Sequence, residues 1–167
     1  MTLQEEAAIR SAYEQLTKLL IQRGWTITSM ESCTAGQVIS LITDTEGSSA
    51  VVKGADVTYS NEAKIMAGVS EHLIERYGVY SKEIAIAMAQ TCKAKYGSDI
   101  GIGVTGTFGN IDPENADSVP GEVYFAVAMQ NEIGVYERQL KMQGSRHEYK
   151  MAAAKHIVEV LLEKVKI

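Results

Sequence analysis

The chain has 167 residues, 46% hydrophobic and 22% charged, with a formal net charge of −5 at pH 7, proportions that suit an ordinary folded domain. The acidic balance disfavours binding to nucleic acid or to an acidic membrane through bulk charge, and no apolar run approaches the roughly 20 residues that span a bilayer. The opening Met1-Thr2-Leu3-Gln4-Glu5-Glu6 lacks the basic and apolar regions of a signal peptide, and Cys33 and Cys92 are too few for a disulfide framework, so a single cytoplasmic domain over residues 1–167 is expected.

Residues 4–23 place Ile9, Ala12, Leu16, Leu19 and Leu20 at helical spacing, and Gly24 supplies the stop. Residues 25–30 alternate in the manner of a half-buried strand, and a helix is predicted over 34–43. Residues 50–59 read as a strand with Gly54 at a bulge. A short helix over 61–67 takes Ser60 or Asn61 as its cap, and a second runs over 70–76 and closes at Gly78. Ser81 caps a helix that runs to Tyr96, and residues 99–104 form a buried strand. Residues 105–120 make a polar loop that holds both prolines, Pro113 and Pro120. Two strands, 121–129 and 134–141, meet at a turn over 130–132. Ser145-Arg146-His147-Glu148 has the capping-box spacing and opens a last helix to Val165. Alternating helices and strands with a terminal hairpin predict an α/β layered fold around one mixed sheet.

Two patterns invite a function and do not support it. Gly101-Ile102-Gly103-Val104-Thr105-Gly106 matches G-x-G-x-x-G, but its first two glycines lie inside the predicted strand and a Pro-containing loop follows where the dinucleotide fingerprint needs a helix. Glycines two apart on a strand instead mark one face that another backbone or a ligand approaches closely. His72, His147 and His156 show no metal-ligand spacing, so neither metal nor cofactor is expected. Asp112, Glu114 and Asp117 could hold a cation weakly, although such residues are more often the solvated part of a loop.

The pattern with chemical content is Glu31-Ser32-Cys33-Thr34-Ala35-Gly36, between a strand and a helix. A hydroxyl at such a junction sits beside the free N–H groups of a helix N-terminus, which suit an anion or a developing oxyanion. A serine nucleophile needs a base, and no histidine is suggestively placed. Lys64 can serve if its pKa is lowered; in the first turn of its helix the dipole would favour the neutral form. Tyr59 would sit at the strand end to relay a proton or position substrate. The plainer readings are a solvated Lys64, Ser32 as a helix cap, and Tyr59 as a rim aromatic. Cys33 is either a second candidate nucleophile or a small buried apolar residue.

Glu31-Ser-Cys-Thr-Ala-Gly36, Gly47-Ser-Ser49, Val57-Thr-Tyr-Ser-Asn-Glu-Ala-Lys64 and Val104-Thr-Gly106 recur in that order in the CinA C-terminal domain family, and Gly144-Ser-Arg146 resembles that family's Gly-Asp-Arg. The resemblance runs from about Leu3 to Val165. It implies a single-domain three-layer α/β/α fold with a mixed sheet. It also implies a metal-free amidase that hydrolyses the carboxamide of nicotinamide mononucleotide to nicotinic acid mononucleotide and ammonia. Ser32 and Lys64 match the family's serine and lysine, and Tyr59 and Thr105 match further active-site positions. Arg146 matches an arginine suited to the substrate phosphate, and its place just inside a helix N-terminus agrees with that role. Backbone N–H groups near Cys33 and Thr34, with Thr105, would hold the oxyanion, and Gly106 would border the substrate. A small pyridine nucleotide is the partner implied, and self-association into a homo-oligomer is expected. Full-length CinA proteins carry a further N-terminal pyrophosphatase domain, which a chain of this length is not expected to hold.

Two departures from the family pattern bear on activity. Ala35 stands where the family has glycine, which is costly if the backbone there is left-handed and harmless if it is helical. Thr107-Phe108-Gly109-Asn110-Ile111-Asp112-Pro113 replaces a glycine-rich loop resembling Ile-Ala-Gly-Pro, with Phe108 in place of a small residue. A reshaped pocket would favour an amidase for another substrate, or a nucleotide-binding or regulatory protein with little catalysis.

Overall fold

The computed structural model describes residues 1–116 and 118–166. Helix α1 (Leu3–Arg23) starts at a reciprocal cap, in which Thr2 Oγ1 accepts from the Glu5 N–H at 3.1 Å and the Glu5 carboxylate accepts from the Thr2 N–H at 2.7 Å. It ends where Gly24 turns left-handed at φ 65°. Strand β1 (Ile27–Glu31) follows, then helix α2 (Gln37–Thr43), strand β2 (Val52–Val57), and the short helices α3 (Asn61–Met66) and α4 (Glu71–Tyr77). Helix α5 (Lys82–Tyr96) leads into β3 (Ile100–Gly106), the hairpin β4 (Glu122–Ala128) and β5 (Ile133–Gln139), and helix α6 (Arg146–Lys166). Ser60 and Ser81 cap α3 and α5 by accepting from the Ala63 and Ile84 N–H groups.

The strands form one sheet in the order β2-β1-β3-β4-β5. β1 runs parallel to both neighbours, and β4 and β5 add antiparallel pairs, so the sheet is mixed as expected. The register slips between Ile27 and Thr28, whose partners are Val52 and Gly54, which puts the irregularity beside the predicted bulge. Every residue of β1 is buried, so the half-buried reading is corrected. The strand is flanked by β2 and β3 and covered on both faces, and a strand so placed has no solvent side for its alternate residues.

Ile100, Ile102 and Val104 of β3 point into the main core, shared with Tyr13, Leu16 and Leu20 of α1, Val38 and Leu41 of α2, and Ile157 and Leu161 of α6. Gly101 and Gly103 face α5: an added Cβ would lie 2.2 Å from the Ala89 carbonyl oxygen and 2.1 Å from that of Ala85. The two glycines therefore mark the close approach of a helix backbone, and the match to the nucleotide fingerprint is a packing pattern. The result is a three-layer α/β/α arrangement, with α1, α2 and α6 on one face and α5 on the other. Because β1, β2 and β3 run in the same direction, their C-terminal ends open side by side, where open α/β sheets place their ligand sites. No helix among the described residues is long and apolar enough to cross a membrane.

Candidate active site

Ser32 leaves the end of β1 in a turn, and its N–H donates to the Val104 carbonyl on β3 at 3.0 Å. Helix α2 begins three residues later than predicted, at Gln37, with left-handed Gly36 (φ 87°) at its N-cap, so Ser32 is not the cap of that helix. The N-terminus of α2 is not vacant either. The buried Glu31 carboxylate accepts from the Val38 N–H at 3.1 Å, the Ile39 N–H at 2.9 Å and the Ser29 hydroxyl at 2.9 Å. The anion that the helix end favours is thus part of the chain. Within the turn, the Ala35 N–H donates to the Ser32 carbonyl and the Gln37 N–H to that of Thr34. Ala35 itself is left-handed at φ 50°, the one positive-φ residue other than glycine among the described residues. The costly reading of the Ala-for-Gly departure therefore applies.

Lys64 comes from α3, yet it is only 2% exposed. Its Nζ lies 3.1 Å from Ser32 Oγ and donates to the Thr58 carbonyl at 2.9 Å. Burial pushes its pKa down to about 8 from 10.5, against the opposing pull of Cys33 and Asp112. The helix-dipole explanation is corrected: α3 has six residues and Lys64 lies in its last turn, where the dipole favours a cation, so loss of water is what weakens the proton. The two sides of the pair are joined by backbone, since the Thr58 N–H donates to the Glu31 carbonyl at 2.8 Å.

Ser32 and Lys64 open into a cleft of about 380 Å³ whose lining also includes Cys33, Tyr59, Gly106 and Arg146. Six of the eight residues singled out in the sequence therefore meet in one place. Tyr59 is exposed, and its hydroxyl accepts from Arg146 Nη2 at 2.9 Å. The Arg146 guanidinium also lies 5.5 Å over the Phe108 ring. Thr105 and Thr34 do not line the cleft. Thr105 Oγ1 donates to the Val79 carbonyl at 2.9 Å and so braces the segment before α5, and Thr34 is fully buried with its hydroxyl unpaired. Cys33 is buried, and its thiol is pushed up to about 12, first by burial and then by the Glu31 charge. A thiol held protonated is a poor nucleophile, which makes Cys33 the weaker of the two candidate nucleophiles at this junction.

The opposite wall is the departed loop. Phe108 does not fill the cleft; it is 2% exposed and stacks on Tyr149 with ring centroids 5.2 Å apart. Asp112 is the organising residue. Its carboxylate accepts from the Tyr80 hydroxyl at 2.5 Å, from Asn115 Nδ2 at 2.7 Å and from the Glu114 N–H at 3.0 Å, and these bonds hold it below the usual carboxylate range. Asn61 Nδ2 on α3 donates to Asn115 Oδ1 at 3.2 Å and ties the loop to the element that carries Lys64. The bond from Asp112 to the N–H two residues on is an Asx turn, a signal the sequence contained. The Thr58 carbonyl has no sequence signal, because every residue offers one. Asp117 lies outside the described residues, and among those described no three His, Cys, Asp or Glu side chains cluster to hold a metal ion.

The model of the CinA C-terminal domain family matches residues 9–165. The chain belongs to that family. It is 39% identical over 139 residues to a CinA-like protein of Geotalea daltonii, covering 81% of this chain and 32% of that protein. It is 36% identical over 138 residues to a CinA-like protein of Fervidobacterium nodosum, covering 82% and 33%. The chain thus spans about a third of the length of the curated relatives it matches. Among solved structures, the competence/damage inducible protein CihA from Agrobacterium tumefaciens has a TM-score of 0.85 at 26% identity, covering 95% of this chain and 96% of that one. A competence-damaged protein (CinA) superfamily protein from Klebsiella pneumoniae has a TM-score of 0.86 at 23% identity, covering 95% and 98%, a likeness of fold alone.

Proposed function

We propose that this protein is a nicotinamide-nucleotide amidase acting through Ser32 and Lys64. The observation that carries the reading is the 3.1 Å approach of a buried lysine, its pKa pushed down to about 8, to a serine hydroxyl at the floor of a cleft. In the neutral form Lys64 keeps one N–H on the Thr58 carbonyl, which turns its lone pair toward the Ser32 hydroxyl proton.

Lys64 takes that proton as Ser32 Oγ attacks the carboxamide carbon. The oxygen that becomes anionic would be met by the Cys33 N–H, since the Ser32 and Ala35 N–H groups are spent on the Val104 and Ser32 carbonyls and the buried Thr34 does not line the cleft. The hydroxyl of Thr105 is spent on Val79, so it is left out of this role. Protonated Lys64 gives its proton to the amide nitrogen, the C–N bond breaks, and ammonia leaves behind an ester on Ser32. Water attacks that ester with Lys64 again as base, which frees the carboxylate and restores the serine. Arg146 at the rim would take the phosphate, and Tyr59 fixes the direction of its guanidinium. The metal-free chemistry and the identity of the substrate rest on the resemblance of these residues to the family's motifs.

The test is ammonia release from nicotinamide mononucleotide in the presence of a chelator. The parent should turn over, with kcat/KM falling about tenfold per pH unit below about 8, the pKa of the free base. Ser32→Ala and Lys64→Ala should each abolish turnover. A folded parent that binds the nucleotide without hydrolysing it would refute the amidase and leave a binding protein. Release from a non-nucleotide amide alone would move the substrate.

A further inference from the structure

Among the described residues, four charged side chains border the cleft, Lys64 and Arg146 as cations and Asp112 and Glu114 as carboxylates. The two cations already have work in the amidase reading, one at the bond to be broken and one at the phosphate. The carboxylates do not, and Asp112 is the one held in place. Half-buried, it is fixed by three hydrogen bonds from Tyr80, Asn115 and the Glu114 N–H. Its charge reaches the reaction centre, for Asp112 and Lys64 each feel the other. A carboxylate that shares the cleft with a lysine favours the protonated lysine and so hinders it as a base. A bound molecule that brings a positive charge of its own would offset that pull.

We propose that Asp112 makes this cleft selective for a carboxamide carried on a cationic ring, discriminating against the same amide on a neutral ring. This deepens the amidase reading and rests on it for the carboxamide. A pyridinium bearing a phosphate on its sugar is positive at one end and negative at the other. Asp112 and Arg146 match that polarity, with the reacting carboxamide next to Ser32. The ring's charge would also neutralise the field of Asp112 at Lys64 and so help the base to lose its proton once substrate is bound. Phe108 and the loop 107–113 take part by placing Asp112 there, and the departure from a glycine-rich loop becomes a specificity device.

The experiment compares binding of nicotinamide mononucleotide with that of its dihydro form, in which two electrons and a proton have made the ring neutral while amide, sugar and phosphate stay the same. Binding is measured by calorimetry on Ser32→Ala, so that no turnover intrudes. The oxidised ligand should bind at least about tenfold more tightly, a modest value for one charge pair near a protein surface. Asp112→Asn should erase that preference by weakening the oxidised ligand alone. Tyr80→Phe, which removes one brace and keeps the carboxylate, should retain it. Equal binding of the two ligands to the parent site overturns the proposal, as does loss of the preference in Tyr80→Phe with the carboxylate still present. A preference for the cation without turnover by the parent protein would refute the amidase and leave the charge selection standing. Binding of neither ligand refutes both.

Discussion

Lys64→Met replaces the buried base with an unbranched apolar side chain of similar length. In the unfolded chain Lys64 keeps its proton up to about pH 10.5, and in the folded protein only up to about pH 8. Between those values the unfolded state binds more protons, so raising the pH favours the native state. At about 1.36 kcal/mol per unit, the gap from 10.5 to about 8 makes about 3 kcal/mol. Below pH 8 both states hold the proton and the whole cost of burying the cation is present. Methionine removes that cost but also loses the bonds to the Thr58 carbonyl and Ser32 Oγ, worth about 1 kcal/mol each. The variant should therefore be inactive yet more stable than the parent by about 1 kcal/mol at pH 7, and less stable by about 2 kcal/mol near pH 10.5. Urea titrations of both proteins from pH 6.5 to 10.5, followed by circular dichroism, give the difference directly, because titrations shared by the two proteins cancel. A parent that gains no stability relative to the variant as the pH rises from about 8 to 10.5 would mean that Lys64 is not desolvated in the folded protein, and the argument for a neutral base would go with it.

Two further outcomes follow from the nucleophile turn. Ala35→Gly restores a residue without Cβ at a left-handed position; relief of about 1–2 kcal/mol of backbone strain against about 0.5–1 kcal/mol of glycine flexibility predicts a small gain in stability, read as a higher urea midpoint. A lower midpoint would mean that the strain is absent. Glu31→Gln places an amide N–H₂ against one of the Val38 and Ile39 N–H groups while its oxygen serves the other, and should cost about 1–3 kcal/mol as a buried donor loses its acceptor. Chemical unfolding checks this, and no loss would show that the carboxylate does not hold the start of α2.

The sequence by itself settled the order and type of nearly every element, because caps and stops act within a few residues: Thr2 and Gly24 bound α1, and Ser60 and Ser81 start their helices. The motif strings also pointed to the family, and Ser32, Cys33, Tyr59, Lys64, Gly106 and Arg146 do gather in one cleft. Burial was the first quantity left to tertiary structure. A six-residue helix does not say whether its lysine faces water, and only the tertiary fold that brings the Lys64 side chain to Ser32 beyond β1 buries it and lowers its pKa. Occupancy was the second. The α2 N-terminus looks open in the sequence, but β1 delivers the Glu31 carboxylate to it. Hydroxyl direction was the third, for the Thr105 hydroxyl turns to Val79, which is distant in sequence. Asp112 depends on the same cause: its Asx turn is local, but its field at Lys64 exists only because the loop after β3 folds across the ends of parallel strands. Interactions within one turn of chain are written in the sequence, and the desolvation and charge coupling that shape this cleft arise when distant segments exclude water together.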